Sequence, residues 1–455
     1  MNIPEELIKK YNVPVPRYTS YPTVPFWLEE KFSASSWLTH VKRAFDETND
    51  TEGITLYIHL PFCESLCTYC ACNTRITINH AVEENYINVV LKEWEMYCDT
   101  FEKKPILRDL HLGGGTPTFF SPENLSKLLD GIYAKSILHP QFLCSFEGHP
   151  NNTSFEHLDA LYNAGARRVS YGVQDLNLKV QETINRVQPF ENVKLATDNA
   201  RKVGFESINF DLIYGLPFQT EESVLETIDA VISLKPERIA FYSYAHVPWK
   251  RPGQRAYTEA DLPNNDFKRK LYEVGKERLL EMGYTDVGMD HFALPSDLLY
   301  KAYQNKSMHR NFMGYTHVRT DLLIGLGASA VSDAKYAYAQ NAKKVEEYCG
   351  LIDEGSLAVK KGHVLTQEDL KVRKQILDIC CNGELMWNDY VDALDLNMLI
   401  QLNAMHAEGL IKLYQGGFRV TELGTAFLRN ICLVFDRRLS EHKASDDKPM
   451  FSQAI

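Results

Sequence analysis

Between residue 54 and about residue 245 the chain alternates between two hydrophobic periods. Short β-branched or aromatic runs read as strands: "ITLYIHL" (54–60), "LRDLHLG" (107–113), "FLCSFEG" (142–148), "RRVSYGV" (167–173), "SINFDLIYG" (207–215) and "RIAFYSYA" (238–245). Between most of them lie stretches with apolar residues three and four apart. Examples are "AVEENYINVVLKEWEMYC" (81–98), "SPENLSKLLDGIY" (121–133), "SFEHLDALYNAG" (154–165), "ENVKLATDNARKVG" (191–204) and "TEESVLETIDAVISL" (220–234), all read as amphipathic helices. Several open on Ser, Thr or Asn and close on Gly, as helix ends require. Alternating strands and helices predict an α/β fold with a parallel sheet and right-handed crossovers.

Polar or glycine-rich signals sit at the C-terminal end of nearly every strand: a cysteine cluster, "GGGTPT", Glu147, "GVQD", Asp211 and "YAHVP". A barrel gathers all such ends around one mouth, whereas an open doubly wound sheet gathers only those near its switch point. A partial (β/α)6 barrel is therefore predicted over 51–245. Residues 1–50 are expected to form an N-terminal arm and helices covering the site. Residues 246–361, with "TDVGMDHFALP" and "DLLIGLGASAVSD", are expected to extend the barrel. Over 362–455 the pattern changes to short helices. There "NMLIQLNAMHAEGLIKLYQGGFRVTELGTAFLRNI" reads as helix, hairpin, helix, the outline of a small, mainly α, winged-helix-like lid domain. The tail "EHKASDDKP" is expected to be loose, and "MFSQAI" after it is apolar enough to dock.

Composition narrows the class. Of 455 residues, 44% are hydrophobic, enough for a large core, and the net charge is −11. That balance argues against binding a nucleic-acid backbone, as does the scarcity of positive charge in "LYQGGFRVTELG", without excluding a local basic pocket for an anionic substrate. The N-terminal stretch carries charges where a secretory signal would need its apolar core. The run "LLIGLGASAV" falls short of the roughly 18 apolar residues of a membrane span. A cytoplasmic protein is expected, and there clustered cysteines point to metal or catalysis rather than to disulfides. Cys98, Cys144, Cys349, Cys380, Cys381 and Cys432 lie scattered in apolar contexts and read as buried small hydrophobes.

The other four cysteines fall within "CESLCTYCAC" (63–72), spaced Cys63-x3-Cys67-x2-Cys70-x-Cys72. A structural zinc site would need a second Cys/His arm, which the sequence lacks, and a redox pair would need only Cys-x2-Cys. Three cysteines in eight residues after the first strand suit a 4Fe–4S cluster with three thiolate ligands and one iron left open.

This spacing, after an aromatic-rich first strand, resembles the radical S-adenosylmethionine (SAM) enzymes. One branch is resembled from about residue 10 to the C-terminus, through "PRYTSYPT" (16–23), "YIHLPFC", the "CN" after the third cysteine, "GGGTPT", "YGVQD", "INRVQ", "DLIYGLP", "YAHVP", "GMDHFALP" and "HRNFMGYT". That branch is the oxygen-independent coproporphyrinogen III oxidases. The resemblance implies that Cys63, Cys67 and Cys70 ligate a 4Fe–4S cluster whose open iron chelates SAM, and that Cys72 is a candidate catalytic residue near the cofactors. It also implies a 5′-deoxyadenosyl radical that takes hydrogen from the β-carbon of a propionate side chain, followed by loss of CO2 and one electron to leave a vinyl group.

Residue by residue, the resemblance puts Tyr57, Gly114, Glu147, Ala245 and Val331 on a first SAM and Tyr69 near it. It puts Gly115, Thr116, Gln174, Arg186 and Asp211 at a second SAM. Read without the family, Glu147 serves equally as a ribose acceptor or as an ion-pair partner, and Arg186 as a two-pronged carboxylate clamp or a helix-surface ion pair. The family pattern Glu-x-Asp-Pro is here Glu-Gly-His-Pro (147–150). His246 and His291 read as hydrogen-bonded core histidines. The implied substrate, coproporphyrinogen III, carries four carboxylates, for which Arg17, His309 and Arg310 are the expected contacts. A monomer fed by an electron donor such as flavodoxin or ferredoxin is expected. The alternatives are a haem chaperone or haem-modifying paralogue, and a non-catalytic haem or iron–sulfur binding protein.

Overall fold

The computed structural model describes residues 3–27, 32–387, 394–441 and 451. The tail expected to be loose and the segment after it lie outside the described residues, apart from Glu441 and Phe451. Two compact units are present: residues 28–283 with 320–364, and residues 1–27 with 284–319 and 365–455.

The larger unit is built on six parallel strands, which form where the alternating pattern places them: β1 Ile54–Leu60, β2 Ile106–Gly114, β3 Ile137–Gly148, β4 Ala166–Gln174, β5 Ser207–Tyr214 and β6 Arg238–Ser243. They hydrogen-bond in sequence order, each parallel to the next. β7 (Leu323–Leu326) joins β1 from the other side, also in parallel, and β8 (Val331–Asp333), β9 (Ala337–Asn341) and β10 (Val359–Val364) continue outward as antiparallel neighbours. The result is an α/β fold with a central parallel sheet that does not close into a barrel.

Burial explains the strand sequences. All of β1 is buried, as a central strand covered on both faces should be. β5 alternates between buried and half-buried positions, so Asn209 and Asp211 share one face. Crossover helices start where caps predict: Ser121, Ser154 and Thr220 each accept from a backbone N–H of the first turn. Helix Phe190–Val203 ends on Gly204 at φ +118°, a conformation that a residue with a Cβ adopts only with strain.

In the smaller unit, helix Leu396–Ala407 leads into the hairpin Ile411–Tyr414/Gly417–Val420 and then into short helices Glu422–Thr425 and Leu428–Leu433. That is the helix, hairpin, helix order read from the sequence. Its core joins Tyr11, Val15 and Tyr18 to Ile376, Ile379, Phe418, Phe427 and Ile431. Cys144, Cys380, Cys381 and Cys432 are buried as expected, whereas Cys98 and Cys349 are only half-buried, on helix positions that border solvent. Among the described residues no helix is long and apolar enough to cross a membrane.

The buried carboxylate of Glu93 fastens the β7–β10 extension to helix Val82–Cys98. It accepts from Gly327 N (2.8 Å), the Asn341 carboxamide (2.7 Å) and the Tyr348 hydroxyl (2.7 Å). Burial outweighs these donors and pushes its pKa up to about 7. A carboxyl that binds its proton more tightly when folded adds stability at low pH, and that contribution is lost as pH rises through the folded value. In urea unfolding at constant temperature, Glu93→Gln should therefore lose a pH dependence that the parent shows between about pH 4.5 and 7, in which stability falls as pH rises. Glu93→Ala should cost about 3 kcal/mol by orphaning three buried donors.

Candidate active site

Strand register assembles the site. Tyr57 on β1 stands opposite His111 on β2, which stands opposite Ser145 on β3. One rung further, Glu147 stands opposite Ser170 on β4, which stands opposite Asn209 on β5. Ser145 and Glu147 are two residues apart on β3 and so present their side chains to the same face, where the polar groups contact one another. Tyr57 is 8% exposed, and its hydroxyl lies 3.0 Å from His59 Nδ1. His59 Nε2 donates to the Asn73 carbonyl (2.9 Å) at the end of the cysteine loop. His111 Nδ1 lies 2.8 Å from Ser145 Oγ, and its Nε2 lies 3.5 Å from Glu147 Oε1.

Glu147 also accepts from the backbone N–H of Gly114 at 3.1 Å. Burial works against ionisation, but His111 and this N–H outweigh it and hold the carboxyl below its ordinary value. Asp211 accepts from Ser170 (3.1 Å) and Asn209 (2.9 Å), yet burial pushes it up to about 6. His149, where the family pattern has Asp, accepts from Asn151 N and is driven down to about 3 by burial and by the Arg186 charge, so it is a neutral ring at physiological pH.

The loop after β1 carries the four cysteines. Cys63, Cys67 and Cys70 are half-buried, while Cys72 is exposed. Cys63 Sγ lies 3.3 Å from Thr116 Oγ1. Cys70 and Cys72 share a hydrogen bond that lowers the pKa of the first and raises that of the second. Arg186 donates to the Gly172 carbonyl (2.6 Å) and to Cys67 Sγ (3.5 Å), and its buried Nε has no partner. Gln174, at φ +67°, lies against Gly172 beside Arg186.

Gly115, directly after β2, admits the loop: Gly115 N donates to the Leu60 carbonyl (2.8 Å) and Thr116 N to the Phe62 carbonyl (2.9 Å), stitching the two strand exits together. A Cβ on Gly115 would lie 2.6 Å from Pro61 backbone atoms. Ala245 follows β6 and turns its carbonyl to Gln254, and Val331 opens β8 opposite Gln340. The Tyr69 ring packs against a small core of Val180, Ile184, Tyr244 and Tyr257.

Could these residues hold an iron–sulfur cluster? The donor set is three soft thiols on one short loop, with a guanidinium against one of them to offset thiolate charge. Each thiolate of a cubane takes a different iron, so the sulfurs need not converge on a point. Among the described residues no group of three or more His, Cys, Asp or Glu converges to hold a single metal ion. The set fits a cluster and does not resemble a mononuclear site.

A radical SAM superfamily model matches residues 57–231. The oxygen-independent coproporphyrinogen III oxidase of Pseudomonas aeruginosa is 36% identical over 464 residues, covering 99% of this chain and 98% of its own length. That of Helicobacter pylori strain J99 is also 36% identical, with 95% and 96% covered. The coproporphyrinogen III oxidase of Escherichia coli, described as a radical SAM enzyme, superposes with a TM-score of 0.88 at 34% identity, covering 96% of this chain and 99% of its own. The chain belongs to the oxygen-independent coproporphyrinogen III oxidase family. As a member of that family it is a radical SAM oxidoreductase, and its cofactors are a 4Fe–4S cluster and SAM.

Placement of the expected residues follows the two units. Tyr57, Cys63, Cys67, Cys70, Gly114–Thr116, Glu147, Gln174, Arg186, Asp211, Ala245 and Val331 all belong to the larger one. Arg17, His309 and Arg310 belong to the smaller. There Arg17 pairs with Asp290 at 3.1 Å, and Arg310, 6% exposed, donates to the Arg17 carbonyl and stacks on Tyr315. His309 opens the hairpin His309–Asn311/Gly314–Thr316. His246 and His291 are hydrogen-bonded as expected, to the Tyr244 hydroxyl and the Met289 carbonyl, but both are half-buried rather than in the core.

Sequence reading passed over His59 and His111 inside motifs singled out for other residues. For His59 the signal was present, since it lies two positions from Tyr57 and so faces the same side of β1, whereas His111 reaches Glu147 only through the pairing of β2 with β3. Gly114 stands at φ +116°, and a Cβ there would come within 2.7 Å of the His59 ring. Gly114→Ala should therefore lower stability by about 2 kcal/mol in urea unfolding, and should displace His59 from Asn73, read as a shift of the His59 ring resonances.

Proposed function

We propose that this enzyme converts coproporphyrinogen III to protoporphyrinogen IX without oxygen, by oxidative decarboxylation of two propionate side chains to vinyl groups in haem biosynthesis. The observation that carries the reading is identity of 36% with the Pseudomonas aeruginosa enzyme over essentially both full lengths. The cysteine loop, the Gly114–Thr116 turn and the Glu147 carboxylate on adjacent strand ends support it.

Cys63, Cys67 and Cys70 hold the cluster. When bound, the cluster and SAM supply a 5′-deoxyadenosyl radical. Glu147, kept ionised by His111, accepts the hydrogen bonds of the first SAM, with Tyr57, Tyr69, Ala245 and Val331 lining it. Arg186 brings an N–H without a protein partner, suited to a carboxylate, and with Gln174, Asp211, Gly115 and Thr116 it serves a second SAM. Two SAM molecules match two propionates. Arg17, His309 and Arg310 receive substrate carboxylates, and Cys72 acts beside the cluster rather than on it. The enzyme works as a cytoplasmic monomer fed by a flavodoxin or ferredoxin.

Anaerobically reconstituted protein with reductant, SAM and coproporphyrinogen III should release CO2 and 5′-deoxyadenosine with vinyl product. Uncoupled SAM cleavage, or tight haem binding without cleavage, would reject the reading. Ala at position 63, 67 or 70 should bleach the cluster's visible absorbance, whereas Cys72→Ala should keep the absorbance and lose turnover.

A further inference from the structure

The stretch "VPWKRPGQRAY" (247–257) follows β6 and turns through the short 3-10 helix Pro252–Ala256. Its Gln254 is fully buried. The carboxamide Nε2 donates to two carbonyls, that of Ala245 (3.1 Å) and that of Tyr69 (3.3 Å), the latter 185 residues earlier in the chain. Its Oε1 accepts from Val247 N at 2.6 Å. A primary amide has two donors and an acceptor, and this one uses all three functions.

Three residues before it, Arg251 donates to the carbonyls of Ala71 and Cys72. Between them Gly253 passes so close that a Cβ would lie 3.2 Å from the Thr68 carbonyl. On its other side the same loop is held by the end of helix Leu178–Thr183. Asn185 donates to the Leu66 carbonyl (2.8 Å), Thr68 N to the Ile184 carbonyl (2.9 Å) and Thr68 Oγ1 to the Thr183 carbonyl (3.3 Å).

We infer that Gln254, assisted by Arg251, is a positioning residue: it clasps the cysteine loop to the exit of β6 and thereby fixes the Cys70 thiol relative to Ala245. This rests on the reading of Cys63, Cys67 and Cys70 as cluster ligands and of Ala245 as a SAM contact. A loop of this kind has no strand partner between residues 64 and 73; the Cys67 carbonyl accepts from Cys70 N, and those of Leu66, Tyr69, Ala71, Cys72 and Asn73 accept from side chains. The clasp takes the carbonyls on either side of Cys70 and that of Cys72, leaving the thiols themselves unobstructed. The amide also suits the place chemically: between two carbonyl oxygens a carboxylate would repel both, and a shorter Asn would not reach. By tying both ends to one side chain, the clasp makes a shift of the loop and a shift of the Ala245 carbonyl a single event.

The test uses the full chain, cluster-loaded and cluster-free. Gln254→Met keeps the length of the side chain and removes all three hydrogen bonds. In the loaded enzyme it should release iron to a chelator about tenfold faster and raise KM for SAM about tenfold, with a smaller change in kcat. In the cluster-free chain, amide exchange over 66–73 should accelerate by a similar factor while exchange in β1–β6 stays as in the parent. Arg251→Ala, a change on the more open side of the clasp, should move the same readouts in the same direction by a smaller factor. Should Gln254→Met fail to fold, Arg251→Ala decides alone. Unchanged exchange over 66–73 in the variants overturns the clasp, as does faster exchange with iron retention and KM unaltered. A parent chain that takes up no iron is instead a failure of the functional reading, and the cluster-free exchange still decides the clasp.

Discussion

Everything chemical in the larger unit depends on the pairing register of its parallel strands. Tyr57, His111 and Ser145 form one row across β1, β2 and β3, and Glu147, Ser170 and Asn209 form the next across β3, β4 and β5. Side chains alternate faces along a strand, so a slip of one residue in any pair would turn that strand's polar set to the opposite side. The register is held by the apolar positions between the polar ones. β1 is buried throughout, and Ile208, Phe210 and Leu212 alternate with Asn209 and Asp211. Tyr57, His111 and Ser145 are buried and Glu147, Ser170 and Asn209 half-buried, and each is found with a protein partner.

The cysteine loop is the complement of this order. It leaves β1 at the mouth and has little secondary structure of its own, so its shape comes from side chains that reach it from elsewhere. His59 holds its end at Asn73, Asn185 holds Leu66, and Gln254 and Arg251 hold the carbonyls of Tyr69, Ala71 and Cys72. Arg186, against Cys67, brings the one positive charge that contacts a sulfur of this loop through a hydrogen bond among the described residues. Of the four thiols on this loop, the proposed ligands are Cys63, Cys67 and Cys70; with Cys72 left aside, one iron of the cluster stays open to SAM.

Local patterns made much of this legible in the sequence. Helix starts at Ser121, Ser154 and Thr220 and the end at Gly204 were visible because caps are short-range chemistry. Strand ends and their chemistry were visible because the motifs are contiguous. The remainder depends on pairings that no window of sequence contains. His111 meets Glu147 only through the register of β2 on β3. Gln254 meets Tyr69 across 185 residues. Nothing in the helix sequence marks Glu93 as buried; its burial follows from the return of residues 327–348 onto that helix. The clustering of residues 284–319 with the C-terminal region is likewise a matter of long-range contact, which composition and periodicity do not encode.

The proposed chemistry turns on three thiolates of one loop holding a cluster with one iron reserved for SAM. Mössbauer spectroscopy of the anaerobically reconstituted, iron-57-labelled enzyme tests it directly. One iron of the cluster should be distinguishable from the other three and should shift when SAM is added, while the others stay in place. Four equivalent irons that do not respond to SAM would contradict that arrangement.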